Sequence, residues 1–210
     1  MLTGLIIVVS LMVIGSLVFI FWDKIIALKE KKFFTKEVGS KIYKIALEND
    51  YYLINDAVLS IDTKVIHFNH ILFTNKFIYC IGVKYFNGPI SGKYEDAKWF
   101  QYDFKNKITH INNPLTLSKV RLDYLKSSLR ASEDLFVSVV IVNDSCIIDE
   151  RIDLPKDNHI MNIKNLKHFI AKREKMDIPS LDQEQLDVLV QNIYKRSVRT
   201  INQLSNEKRD

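Results

Sequence analysis

Val65–Thr74 (VIHFNHILFT) and the segment that follows it, Lys76–Gly92 (KFIYCIGVKYFNGPISG), are the most informative part of this sequence. Both segments are rich in β-branched and aromatic residues, which are typical of strands. We therefore predict one strand over Val65–Thr74 and a second over Phe77–Tyr85. Because only Asn75-Lys76 separates them, the two strands are expected to form a tight hairpin.

Polar residues interrupt these apolar strands at a few positions. Side chains two residues apart share one face of a strand, so Gly82 and Lys84 point into the same pocket. By the same rule Asn69 shares its face with His67, whereas His70 points to the opposite face. The hairpin therefore brings a small set of polar positions together on one side of the sheet.

Sequence patterns on both sides of the hairpin predict an α/β (α+β) fold with a mixed sheet. Apolar residues at three- to four-residue spacing predict helices, and β-branched runs predict strands. We expect helices at 35–49, 114–129, 163–173 and 182–204, and strands at 51–59, 98–104 and 135–142, the last with 146–149 as its antiparallel neighbour.

Short motifs recur in a definite order between about Glu37 and Asp149. They are Gly39-Ser40, His67-Phe68-Asn69-His70, Ile81-Gly82-Val83-Lys84, the turn of Gly88, Ile90 and Gly92, then Trp99, and Asn113-Pro114. Their order and spacing resemble the nuclease-related domain (NERD) family, which belongs with the restriction-endonuclease-like nucleases. The resemblance implies a core in the order helix, three strands, helix, strand.

The same resemblance identifies what is missing from the site. Members of the family carry Gly-Glu in the first helix, Gln-Ile-Asp-His on one strand and Ile-Glu-x-Lys on the next. Here the three acidic positions are Ser40, Asn69 and Gly82. Mg²⁺ is a hard cation that prefers carboxylate oxygens, so a degenerate site without a metal is expected. Mg²⁺ is expected only if this chain is a divergent active nuclease that binds the metal through other acids, such as Glu95 and Asp96.

Two basic side chains remain at this site as candidate phosphate ligands. The resemblance implies that Lys84 would steady a phosphate, and His67 lies on the neighbouring strand. For Lys84 the alternative is an ion pair with an acid such as Asp56 or Asp62. For His67 the alternatives are a metal ligand and an ordinary strand histidine, and a single imidazole without carboxylate partners is a poor metal site. No catalytic residue is assigned.

The N-terminal run Leu2–Trp22 contains no charged side chain. A helix of this length crosses a hydrocarbon core of about 30 Å, and a cleaved signal peptide, the alternative, lacks its basic start and its cleavage site. We therefore expect a single-pass anchor at 1–22, a basic tether at 23–32, the NERD-like domain at 33–155 and a helical extension at 156–210. Lysines just after the anchor predict a cytoplasmic body: Lys24, Lys29, Lys31, Lys32 and Lys36.

Charge and cysteine content limit the function classes only partly. The net charge is +5, which is compatible with nucleic-acid binding or with a lysine-rich face near a membrane. Cys80 and Cys146 lie in apolar runs without zinc-site spacing, so buried free thiols are expected.

Three hypotheses follow. The first is a membrane-anchored, catalytically inactive NERD-like protein that binds nucleic acid or protein, and the second is a divergent active nuclease. The third is a structural subunit of a membrane complex that uses an apolar stripe on the helix at 182–204. Packing of this stripe on the domain itself is the simpler interpretation.

Overall fold

The computed structural model of the chain describes residues 2–61, 64–103, 107–129, 131–149 and 152–207. Its α-helices are Leu2–Asn49 (α1), Pro114–Ser128 (α2), Ile163–Glu174 (α3) and Gln183–Glu207 (α4), with a 3₁₀ turn at Glu133–Leu135. The strands are Tyr52–Ile61 (β1), Lys64–Phe73 (β2), Ile78–Lys84 (β3), Ile90–Ser91 (β4), Lys98–Tyr102 (β5), Ile108–Asn112 (β6), Phe136–Val142 (β7) and Asn158–Asn162 (β8).

A five-stranded mixed sheet in the order β1-β2-β3-β7-β8 forms the centre of the fold. Strands β1, β2 and β3 pair antiparallel, whereas β7 pairs parallel with both β3 and β8. A smaller antiparallel sheet, β4-β5-β6, is inserted between β3 and α2. The mixed α/β fold is therefore confirmed, and so is the order helix, three strands, helix, strand in the central sheet.

Helices cover both faces of the central sheet. On the side that carries Cys80, Leu122 and Leu125 of α2 join the same buried cluster, and we call this side the α2 face. On the other side the ring of Tyr79 contacts that of Phe169 on α3, and we call this side the α3 face. Because β7 lies between two strands and under helices on both faces, all seven of its residues are buried.

Helix α1 is continuous from Leu2 to Asn49, so the predicted start at residue 35 is wrong. The predicted end is confirmed, and Asp50 follows in the left-handed region with a φ of 55°. The chain divides into two compact units, residues 1–37 and residues 38–210. No helix among the described residues is both long and apolar enough to cross a membrane. Within the predicted anchor at 1–22, the side chains other than Ser16 lie outside the described part.

The neighbour of β7 is not the segment that the sequence predicted. Residues 146–149 form no strand beside it, and the parallel strand β8 takes that place. Cys146 is instead buried in a cluster with Ile90 and Trp99, and Ile148 makes a single parallel bridge to Ile90. The apolar run after β7 therefore packs against the small sheet. Both cysteines are free and buried, as predicted.

Helix α4 packs along β1, which is an edge strand of the central sheet. The Val58 backbone N–H donates to Ser197 Oγ at 2.9 Å, and the Ser60 N–H donates to Thr200 Oγ1 at 3.2 Å. These hydroxyls satisfy edge groups that would otherwise be open to pairing with another strand. Leu186 is buried in the central core cluster.

The predicted packing of this helix on the domain is confirmed for only part of its apolar stripe. Ile193 is fully buried, whereas Tyr194 is 60% exposed and Val198 is 40% exposed. A protein partner at the exposed part of the stripe stays a prediction. The side chain of Leu204, the last member of the stripe, lies outside the described residues.

We predict that Ser197→Ala destabilises the protein by about 1–3 kcal/mol, because the buried Val58 N–H loses its acceptor. Urea unfolding measures the loss, and hydrogen exchange at the Val58 amide should accelerate. Ser205→Ala is the matched control, because its hydroxyl bonds only within α4, to the Ile201 carbonyl. Equal stability of the two variants would show that the hydroxyl does not protect the edge.

Candidate functional site

The site predicted from sequence lies where β2 and β3 stop pairing. Their ladder ends at His70 and Ile81, and continuing its register places Asn69 opposite Gly82. Beyond that point the Asn69 side-chain oxygen accepts a hydrogen bond from the Val83 backbone N–H at 3.4 Å. The side-chain amide of Asn69 therefore takes the place of a backbone hydrogen bond between the two strands, and its oxygen already accepts a hydrogen bond.

Arg121 of α2 occupies the space next to Gly82. A Cβ atom added to Gly82 would lie 3.9 Å from Arg121 Nη1. Helix α2 is held in this position by a hydrogen bond between the buried hydroxyls of Ser118 and Ser138. Arg121 is half-buried, and no acidic side chain pairs with it in the part of the chain that the structure describes. A cation thus stands where the resemblance implies a metal-binding glutamate.

Lys84 and Cys80 lie on the same face as Gly82, as the strand alternation predicts. Lys84 is half-buried at the carboxyl end of β3, opposite Val142 of β7. Burial raises the pKa of the Cys80 thiol to about 12, although the nearby Arg121 charge lowers it. The Cys80 thiol is therefore protonated at neutral pH and is not a nucleophile.

The other predicted positions lie at the margin of this arrangement. Ser40 is exposed on α1, and a Cβ on its neighbour Gly39 would lie 3.6 Å from His70 Cε1, on the α3 face. His67 is exposed, and the β2–β3 register extended by three further residues places it opposite Lys84. Asn69 and Gly82 are thus opposite each other on one face of the sheet, whereas Gly39 on α1 lies close to His70 on the other face.

His70 has a structural environment. Its Nδ1 lies 2.7 Å from Asn55 Oδ1, which accepts a hydrogen bond from the Nδ1–H of the neutral ring. Burial lowers the pKa of His70, and the Asp56 carboxylate opposes that shift. Its Nε2 is buried without a partner among the described residues. The histidine is therefore held neutral on the α3 face, away from Asn69.

The acids that might have moved into the site remain elsewhere. Glu95 and Asp96 are exposed in the turn before β5, and Asp96 Oδ2 accepts the Lys93 backbone N–H at 3.0 Å. Asp56 is exposed on β1, and Asp62 lies outside the described residues. The described residues contain no group of three His, Cys, Asp or Glu side chains that could hold a metal ion.

The residues present do not fit Mg²⁺. Asn69 offers one neutral oxygen that already accepts a hydrogen bond, and Gly82 offers no side chain. The guanidinium of Arg121 would repel a divalent cation by an amount on the order of several kcal/mol in a partly buried setting. The same charge favours an anion, so the site is electrostatically suited to phosphate oxygens.

The mixed central sheet carries a polar site where its antiparallel strands β2 and β3 separate. The family model described as nuclease-related domain (NERD) matches residues 32–143. The chain belongs to this family. It is also similar to a solved structure described as a protein of unknown function, AF1548, with 14% identity over 71% of this chain and 73% of that chain and a TM-score of 0.34. No curated protein matches the chain.

Arg121 is the site residue that the sequence interpretation missed. Helical spacing could have pointed to it, because Arg121 lies three residues after Ser118 and four before Leu125, and both of these are buried on α2. A charged side chain at that spacing lies beside the apolar face. Its proximity to Gly82 depends on the packing of α2 against the sheet, which no local pattern records.

We predict that restoring the two strand acids is insufficient to build a metal site. In the double variant N69D/G82E the new glutamate would lie beside Arg121 and pair with it. Calorimetry should therefore detect no Mn²⁺ binding to the double variant. The triple variant N69D/G82E/R121Q should bind Mn²⁺, because the competing cation is gone. Equal Mn²⁺ affinity of the double and triple variants would show that Arg121 does not control the site.

Proposed function

We propose that this protein binds nucleic-acid phosphates at the degenerate site of its nuclease-related domain and does not cleave them. The observation that carries the proposal is the guanidinium of Arg121 beside Gly82, at the position of a family carboxylate. It replaces a group that would attract a metal ion with one that attracts phosphate. Lys84 adds a second cation on the same face of β3.

The chemistry of the donors also supports binding without cleavage. Hydrolysis in this family needs carboxylates that hold Mg²⁺, which polarises the phosphate and generates hydroxide. Asn69 and Gly82 supply neither a negative charge nor a general base, and the Cys80 thiol stays protonated. Arg121 and Lys84 can hold phosphate oxygens, but neither activates water at neutral pH.

We predict that Arg121→Gln weakens binding of a fluorescein-labelled oligonucleotide about tenfold, since a charge-assisted hydrogen bond contributes about 1.5–3 kcal/mol. Fluorescence anisotropy with DNA and RNA probes measures the affinity. Lys119→Gln is the matched control, because it removes one exposed charge from the same helix, two residues away.

The control should change the affinity less than Arg121→Gln does, and the wild-type protein should leave the probes intact with Mg²⁺ or Mn²⁺. Metal-dependent cleavage that Lys84→Ala abolishes would overturn the proposal and establish the active-nuclease alternative. Equal weakening by both glutamine substitutions would show that Arg121 makes no specific phosphate contact.

We further propose that the chain is a single-pass membrane protein with a cytoplasmic domain. The uncharged run Leu2–Trp22 and the lysines that follow it support this placement. The full chain should remain in the membrane pellet after carbonate extraction, whereas a variant lacking residues 2–22 should be found in the supernatant. Release of the full chain by carbonate would refute the anchor.

A further inference from the structure

A groove between the C-terminal part of α1 and α3 carries a cluster of lysines. Its volume is about 320 Å³. Four lysines and one acid line it: Lys41, Lys44, Lys164, Lys167 and Glu48. Because α2 packs on the other face of the sheet, this groove is separate from the site at Asn69 and Gly82.

The single carboxylate does not balance the charge of the groove. Lys167 Nζ donates to Glu48 Oε2 at 2.7 Å, and Lys44 Nζ lies 3.8 Å from Glu48 Oε1. The hydrogen bond from Lys167 is the main cause that lowers the pKa of Glu48, so this carboxyl is ionised at neutral pH. Lys41 makes a further interaction of its own, and among the other lining residues three ammonium groups and one carboxylate leave two net positive charges.

Stability does not account for this concentration of charge. Exposed ion pairs contribute only about 0–1 kcal/mol, and uncompensated like charges repel one another. Lys164 has no acidic partner among the described residues. The groove also has apolar walls, since Ile45 and Ile163 complete its lining. The groove thus combines apolar and charged side chains on one concave surface, and such a combination can hold a small charged ligand.

We propose that the α1–α3 groove binds a small ligand that carries two or more phosphate groups. Several ammonium groups around one concave surface match the several negative charges of such a ligand. The volume is at the lower end for small-molecule sites, so it suits one phosphorylated group and not a nucleic-acid duplex. The ligand is a free diphosphate, such as a nucleoside diphosphate, or the phosphorylated headgroup of a lipid.

Titration calorimetry on the full chain tests the proposal with two soluble probes, pyrophosphate and ADP. A third soluble probe, glycerophosphoinositol 4-phosphate, tests the lipid source, because the proposed anchor at 2–22 would itself insert into vesicles of any composition. Binding of pyrophosphate or ADP identifies a free diphosphate as sufficient, and binding only of glycerophosphoinositol 4-phosphate identifies a headgroup. Absence of both kinds of binding overturns the proposal.

Substitutions that remove positive charge from the groove and one that removes negative charge distinguish a specific binding site from general electrostatic attraction. K164Q/K167Q should weaken binding at least about tenfold, because each lost contact to phosphate contributes about 1 kcal/mol or more. Glu48→Gln should tighten binding, since it removes the only carboxylate of the groove. The matched control K119Q/K195Q removes two exposed charges from α2 and α4 and should change affinity much less. Equal losses in both double variants, or weaker binding by Glu48→Gln, would refute the site.

Discussion

The parallel pairing of β3 with β7 joins the antiparallel strands β1, β2 and β3 to the other half of the central sheet. Seven residue pairs run from Ile78–Phe136 to Lys84–Val142. Strand β7 is wholly buried, so its backbone groups must find their partners on β3 and β8. The hydrogen bond between Ser118 and Ser138 then ties α2 to this register. The position of Arg121 beside Gly82 follows from that sequence of contacts.

The loss of carboxylates and the presence of Arg121 have one electrostatic consequence. A glutamate at position 82 would lie beside the guanidinium, whereas glycine leaves that volume to Arg121. Asn69 keeps a hydrogen-bonding role through the Val83 N–H but contributes no charge. Compared with the carboxylates that the family resemblance implies, the side chains present here carry a positive charge and not a negative one, which is the basis of the proposed phosphate binding.

Elements with strong local signals were predictable from sequence. The hairpin turn is held by the Thr74 hydroxyl, which donates to the Phe77 carbonyl and accepts the Phe77 N–H. Helix α2 begins where expected because Asn113 accepts the Leu115 N–H and proline occupies its first turn. Strand β8 was missed because Asn158–Asn162 is short and polar at both ends. It is stabilised by long-range contacts, namely its pairing with β7, the hydrogen bond from Asn158 to the Leu115 carbonyl and the burial of Ile160.

The residue pattern alone was enough to recognise the family, to predict the β2–β3 hairpin and to show that Ser40, Asn69 and Gly82 stand at the acidic positions of the family. These features depend on residue identity and on the two-residue alternation of strands, which are local properties. The packed structure was needed to show which cation lies beside Gly82 and which lysines line the α1–α3 groove. Those proximities join helices and strands far apart in the chain, and they arise from packing against a common sheet, which local patterns do not encode.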